Sequence, residues 1–254
     1  MNQTIDQGLS DLRRKVALSC RILAMQGLVK ETTGHVSARV DERHIVIRGR
    51  GAEETALLFT TEDDVLHTDL DGNILSEGAN VGLPAEFSLH AEVYKARPEA
   101  GCVVHAHPPG ILLCGMNDLQ LKPIFGAYDP SCLKLAVEGV PVYPRAVTLT
   151  TPALGREMVE VMAGKNVCLL YGHGITSVAA TVEEATVQAI KLESLARINW
   201  HATRNGPVRN IAPEDVRHFT SREGSRRGGD AVWRYYVQLL DHQGILPQEL
   251  VPSA

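Results

Sequence analysis

The chain has 254 residues, of which 25 are basic and 30 acidic, for a formal charge of -5. That length suits one large domain with a substantial core, and the acidic balance excludes a protein built around a nucleic-acid backbone. No stretch approaches a membrane span, Met1–Asp6 lacks a basic segment followed by an apolar core, and five scattered cysteines suit buried reduced thiols, so a cytoplasmic protein without membrane or nucleic-acid partners is expected.

In chain order, Leu12, Val16, Ile22 and Leu23 recur with helical spacing, which predicts a helix from Ser10, as its N-cap, to about Met25, with Gly27 near its end. Gly34–Arg39 and His44–Arg48 read as a strand pair leading into the glycine-flanked loop Gly49-Arg50-Gly51, and Asp69–Asn73 reads as a turn. Pro84 precedes a predicted helix from Ala85 to about Arg97, stopped by Pro98. Glu86 starts that helix, and His90 lies one turn later on the same face. There His90 either supports Glu86 or, more commonly for such a residue, packs and hydrogen-bonds within the fold.

The apolar run Gly101–Val104 predicts a strand that ends in His105-Ala106-His107 before Pro108-Pro109. Residues two apart share a strand face, so both imidazoles can reach one ion. A mixed segment follows to Pro144, then a predicted helix from about Pro152 to Ala163 and a second apolar run, Val167–Leu170. His173 comes next, between Gly172 and Gly174, which let the backbone turn sharply and bring a ligand close. Thr181-Val182-Glu183-Glu184 has the capping-box pattern of a long helix reaching about Thr203, before Asn205-Gly206. Ser221–Gly229 reads as a flexible connection to a final helix near Asp230. Three imidazoles with an open position meet the needs of a catalytic divalent metal, zinc first, and Glu86 adds a base beside it.

The segments Leu83–His90, Tyr94–Pro98 and Val103–Pro109, followed by Gly172-His173-Gly174, resemble the class II aldolase/adducin family in order and spacing. The resemblance covers residues 1–206 and leaves 207–254 as a C-terminal extension, packed on the same domain or on a neighbouring subunit. It implies an α/β fold, three-layer α/β/α with a mainly antiparallel central sheet, assembled as a homotetramer with sites near subunit interfaces. It also implies that His105, His107 and His173 bind a divalent metal, with manganese, cobalt or iron as alternatives to zinc, and that Glu86 is the catalytic acid/base or a fourth ligand. Noncatalytic adducin-like interaction modules usually lack parts of this set, so the intact set favours an enzyme.

In the family's sugar-phosphate aldolases a Gly-Asn pair and a Ser-Ser pair hold phosphate, whereas this chain has Gly34-His35 and Pro84-Ala85. Hydrogen bonds to a charged group contribute about 1.5–3 kcal/mol each, so losing the hydroxyls disfavours phosphate. His35 and Arg50 remain to hold a small anionic carboxylate, Arg50 through its two-pronged guanidinium. The resemblance therefore points to a metal-dependent carbon–carbon lyase that decarboxylates a hydroxy-aromatic or oxo acid, with an aldolase as the alternative. Tyr128 lies near where family aldolases present a tyrosine from a neighbouring subunit, to protonate a product or to pack. Trp233, Tyr235 and Tyr236 are expected to pack in a core or interface, and Arg222, Arg226 and Arg227 to be solvated.

Overall fold

The computed structural model describes residues 2–51, 54–76, 80–221 and 226–250. Its elements run α1 (Asn2–Met25), β1 (His35–Arg39), β2 (His44–Arg48), β3 (Val65–Asp69), α2 (Phe87–Ala96), β4 (Cys102–Ala106), α3 (Pro109–Met116) and α4 (Pro130–Glu138). They continue with β5 (Val142–Tyr143), α5 (Pro152–Met162), β6 (Val167–Leu170), β7 (Gly174–Ala179), α6 (Val182–Thr203), α7 (Pro213–Thr220) and α8 (Arg226–His242). All seven strands join one sheet in the order β3-β2-β1-β4-β7-β6-β5. Its pairings are antiparallel except at the β5–β6 edge, where they are parallel, so the sheet is mixed.

The two-residue period of each strand sorts its side chains into two cores. Val36 and Ala38 of β1, Val104 and Ala106 of β4 and Leu169 of β6 meet Val16 and Leu23 of α1 and Leu192 and Leu195 of α6. On the other face Ile45 and Ile47 of β2, Val103 of β4 and Leu170 of β6 meet Leu89 and Val93 of α2 and Met158 and Met162 of α5. Helices on both faces of one sheet make the three-layer α/β/α architecture. Each large apolar side chain buried in these cores contributes about 1.5–3 kcal/mol, which makes β4, covered on both faces, a firm platform. The same parity sends His35 and Ser37 of β1 and His105 of β4 toward α2, with His35 paired opposite His105.

Several elements differ from the sequence expectation. The first helix begins at Asn2, so Ser10 is not an N-cap; it lies within the helix and donates to Glu62 Oε2 at 2.9 Å. The segment before Pro144 contains α3, α4 and the short β5, and the final helix starts at Arg226 rather than near Asp230. α8 packs on α1 and α6, with Trp233, Val237 and Leu240 in the core, Tyr236 partly buried and Tyr235 exposed. Residues 222–225 of the expected connection, and the side chains of Arg226 and Arg227, lie outside the described residues. The five cysteines are buried free thiols, and no described helix is long and apolar enough to cross a membrane.

Candidate metal centre

The centre sits where β4 ends against the β6–β7 turn, under the start of α2. His105 is fully buried, and its Nδ1 donates to the Ile175 carbonyl of β7 at 2.9 Å. A carbonyl only accepts, so that contact puts the proton on Nδ1 and leaves the Nε2 lone pair facing the centre. His107, just beyond the strand, is tied back through its backbone N–H to Leu28 O at 2.9 Å.

His173 enters from a turn closed by its N–H on Leu170 O at 3.1 Å. The flanking glycines serve different ends. Gly172 adopts a φ of +62°, in the left-handed region, while a Cβ on Gly174 would stand 2.2 Å from Ala106 O. Together they hold His173 beside the end of β4.

Glu86 is the N-cap residue of α2. Its Oε1 accepts from Leu149 N–H at 2.8 Å, which fixes the carboxylate and turns Oε2 to the imidazoles. Oε2 lies 3.3 Å from His105 Nε2 and 3.5 Å from His173 Nε2, and His105 Nε2 lies 2.9 Å from His107 Nε2. The four ligand atoms all fall within 4.8 Å of one another. A tetrahedral zinc with bonds of about 2.0–2.1 Å separates its ligand atoms by about 3.3 Å, so the donor set fits a divalent cation.

The electrostatics agree with that fit. Burial, then the neighbouring His105 and His173, push His107 down to about 3 and keep it neutral, as a ligand must be. Burial works to raise the Glu86 carboxyl, but its contacts with His105 and His173 prevail and hold it well below the usual carboxylate range.

The other predicted site residues take distinct places. His35 is buried with its ring 4.9 Å from that of His105. His90 does not reach Glu86; it hydrogen-bonds within the fold, its Nε2 2.6 Å from His35 Nδ1 and its Nδ1 2.6 Å from Ser37 Oγ. Arg50 is near enough to bear on His35 and His107, but its guanidinium already donates to Glu54 Oε2 and, at 3.3 Å, to Thr32 Oγ1. Tyr128 is 77% exposed, edge-on to Phe125, and is not brought to the centre of its own chain. The sequence assigns no site role to Ser37, Tyr94 or Glu54. For the first two the available signal was the alternation of β1 and the Glu86-His90-Tyr94 stripe, spaced four residues apart along one helical face.

Residues 14–200 match the family described as Class II Aldolase and Adducin N-terminal domain. The chain is 39% identical to a 3,4-dihydroxyphthalate decarboxylase of Arthrobacter keyseri, over 88% of this chain and 91% of that one. It is 41% identical to the enzyme of the same name from Terrabacter sp. (strain DBF63), over 91% of this chain and 97% of that one. Among solved structures, an aldolase II superfamily protein from Pseudomonas syringae superposes with a TM-score of 0.81 at 22% identity, covering 93% of this chain and 94% of that one. The chain belongs to the class II aldolase and adducin family.

Proposed function

We propose that this protein is a metal-dependent decarboxylase of a small, nonphosphorylated hydroxy-aromatic dicarboxylate, of which 3,4-dihydroxyphthalate is the type. The observation that carries the reading is the complete Glu86–His105–His107–His173 cluster in a chain that shares its near-full length with two enzymes of that name. His35 and Pro84-Ala85 stand where a phosphate-binding site would need an amide and hydroxyls, which supports a carboxylate in place of a phosphate.

A divalent cation held by His105, His107 and His173, zinc first with manganese, cobalt or iron as alternatives, supplies a Lewis acid that draws negative charge onto substrate oxygens. Glu86, ionised at rest, takes the proton of the ring hydroxyl and delivers it to the neighbouring carbon that bears the leaving carboxylate. The bond to that carboxylate breaks, carbon dioxide departs, and its electron pair restores the aromatic ring. Solvent returns the hydroxyl proton. The Leu149 N–H keeps Glu86 aimed, and His35, with Arg50 beside it, orients the carboxylate that stays.

The exposed Tyr128 supports a homotetramer in which this phenol reaches a neighbouring subunit's centre. Buried free thiols support a reducing, cytoplasmic setting. A panel of hydroxylated benzoates and phthalates, ring-cleavage oxo acids and sugar phosphates, assayed for carbon dioxide and aldehyde in parallel, tests the reaction. Carbon dioxide from a dihydroxyphthalate is expected. Aldehyde from a sugar phosphate, with no carbon dioxide from any acid, rejects decarboxylation in favour of the aldolase.

A further inference from the structure

A chain of four buried polar groups runs away from the metal centre along the α2 face of the sheet. His35 Nδ1 meets His90 Nε2 at 2.6 Å, His90 Nδ1 meets Ser37 Oγ at 2.6 Å, and Ser37 Oγ meets Tyr94 Oη at 2.9 Å. Each member is at most 3% exposed. A neutral imidazole has one N–H and one lone pair, so every link in such a chain fixes the direction of the next. Burial, more than any neighbouring charge, keeps the His90 ring neutral, pushing it down to about 3.

The far end sets the direction. Burial pushes the Tyr94 phenol well above its ordinary value, so it keeps its proton, and its hydrogen-bond partner among the described side chains is Ser37. Running the chain outward from His35 would have Ser37 donate to Tyr94 and would strand the buried phenol proton without an acceptor. Running it inward satisfies every group. Tyr94 donates to Ser37, Ser37 donates to His90 Nδ1, and His90 Nε2–H donates to His35 Nδ1. His35 then carries its proton on Nε2.

The side-chain hydrogen bond of His35 among the described residues is at Nδ1, which leaves Nε2 without a partner there. The ring that carries it lies beside that of His105, their centroids 4.9 Å apart.

We propose that His90, Ser37 and Tyr94 are positioning residues that hold His35 in the neutral form protonated on Nε2, presenting a fixed hydrogen-bond donor to the substrate carboxylate that is retained. The assignment of a retained carboxylate rests on the reaction proposed above. The donor sets specificity, because a substrate with a second carboxylate meets an N–H there and one without it gains nothing from His35.

Neutron diffraction from deuterium-exchanged crystals of the zinc-loaded wild-type protein locates the proton directly. Deuterium on His35 Nε2 and on His90 Nε2 is expected; deuterium on His35 Nδ1 overturns the proposal. The functional arm compares 3,4-dihydroxyphthalate with 2,3-dihydroxybenzoate, which keeps the hydroxyls and the leaving carboxylate but lacks the second one. In His90→Leu the KM for the diacid rises roughly tenfold, the scale of one hydrogen bond to a charged group, while the inhibition constant of the monoacid holds steady. His90→Gln, whose amide N–H can donate to His35 Nδ1, recovers most of the loss. Equal weakening of both compounds, or of neither, contradicts the positioning role. If the wild-type enzyme releases no carbon dioxide from any aromatic diacid, the reaction assignment falls, and the deuterium position still decides the hydrogen-bond direction.

Discussion

Glu86 is held by two unlike contacts, and they divide its carboxylate into a fixed oxygen and a working one. The Leu149 N–H takes Oε1, and Oε2 faces the imidazoles of His105 and His173. Glu86→Gln keeps the size and an oxygen for Leu149 but cannot carry a proton. It is expected to lower kcat on the order of 10²-fold while metal analysis still finds stoichiometric metal; near-normal turnover removes Glu86 from the proton step. The clustering of the candidate ligands could be read from the sequence because strand parity aligns His105 with His107 and glycines bracket His173. Their partners could not. Ile175 O, Leu149 N and Ser37 reach the site through the β1–β4–β7 register and the docking of α2, which are long-range properties that no local pattern encodes.

At the scale of elements, the long helix α6 and the strands flanking the candidate metal ligands follow their sequence signals. The Thr181 hydroxyl accepts from Glu184 N–H at 3.1 Å, as the capping pattern requires. The helices between Pro108 and Pro144 fall in the segment that reads only as mixed, where prolines interrupt any helical period. Pro109 and Pro130 instead occupy the first helical turn, where a missing N–H leaves no bond broken. α4 shows what then starts a helix. The Asp129 carboxylate accepts from Ser131 and Cys132 N–H at 3.1 and 3.2 Å and from Lys191 Nζ at 2.6 Å. Burial raises its pKa, but Lys191 and the helix N–H groups prevail and leave it below its ordinary value. A carboxylate depressed in the folded state stabilises the fold above the unfolded pKa, and that contribution disappears as pH falls through the lower folded value. Asp129→Ala should cost about 1–2 kcal/mol near neutrality in denaturant titrations. The gap to wild type should close below the ordinary aspartate pKa of about 3.9; a gap unchanged down to about pH 2 refutes this role.

At the scale of the whole molecule, the four residues of the candidate centre come from one chain, while Tyr128 is exposed to solvent. If neighbouring subunits share sites, chains carrying Tyr128→Phe and chains carrying Glu86→Gln, each weak alone, should regain activity when refolded together, because some mixed sites contain both native residues. Activity no higher than the average of the two separate preparations shows that each site is complete within one chain. The central claim, a decarboxylation run by the His105–His107–His173–Glu86 centre, is tested most directly by following 3,4-dihydroxyphthalate turnover in D2O by NMR. The account predicts one carbon dioxide per substrate and one deuterium on the ring carbon that lost its carboxylate. It also predicts that activity is abolished by chelation, restored by one equivalent of divalent metal, and absent in His105→Ala, which loses a ligand. Undiminished carbon dioxide release from the chelated protein, or from His105→Ala, would contradict it.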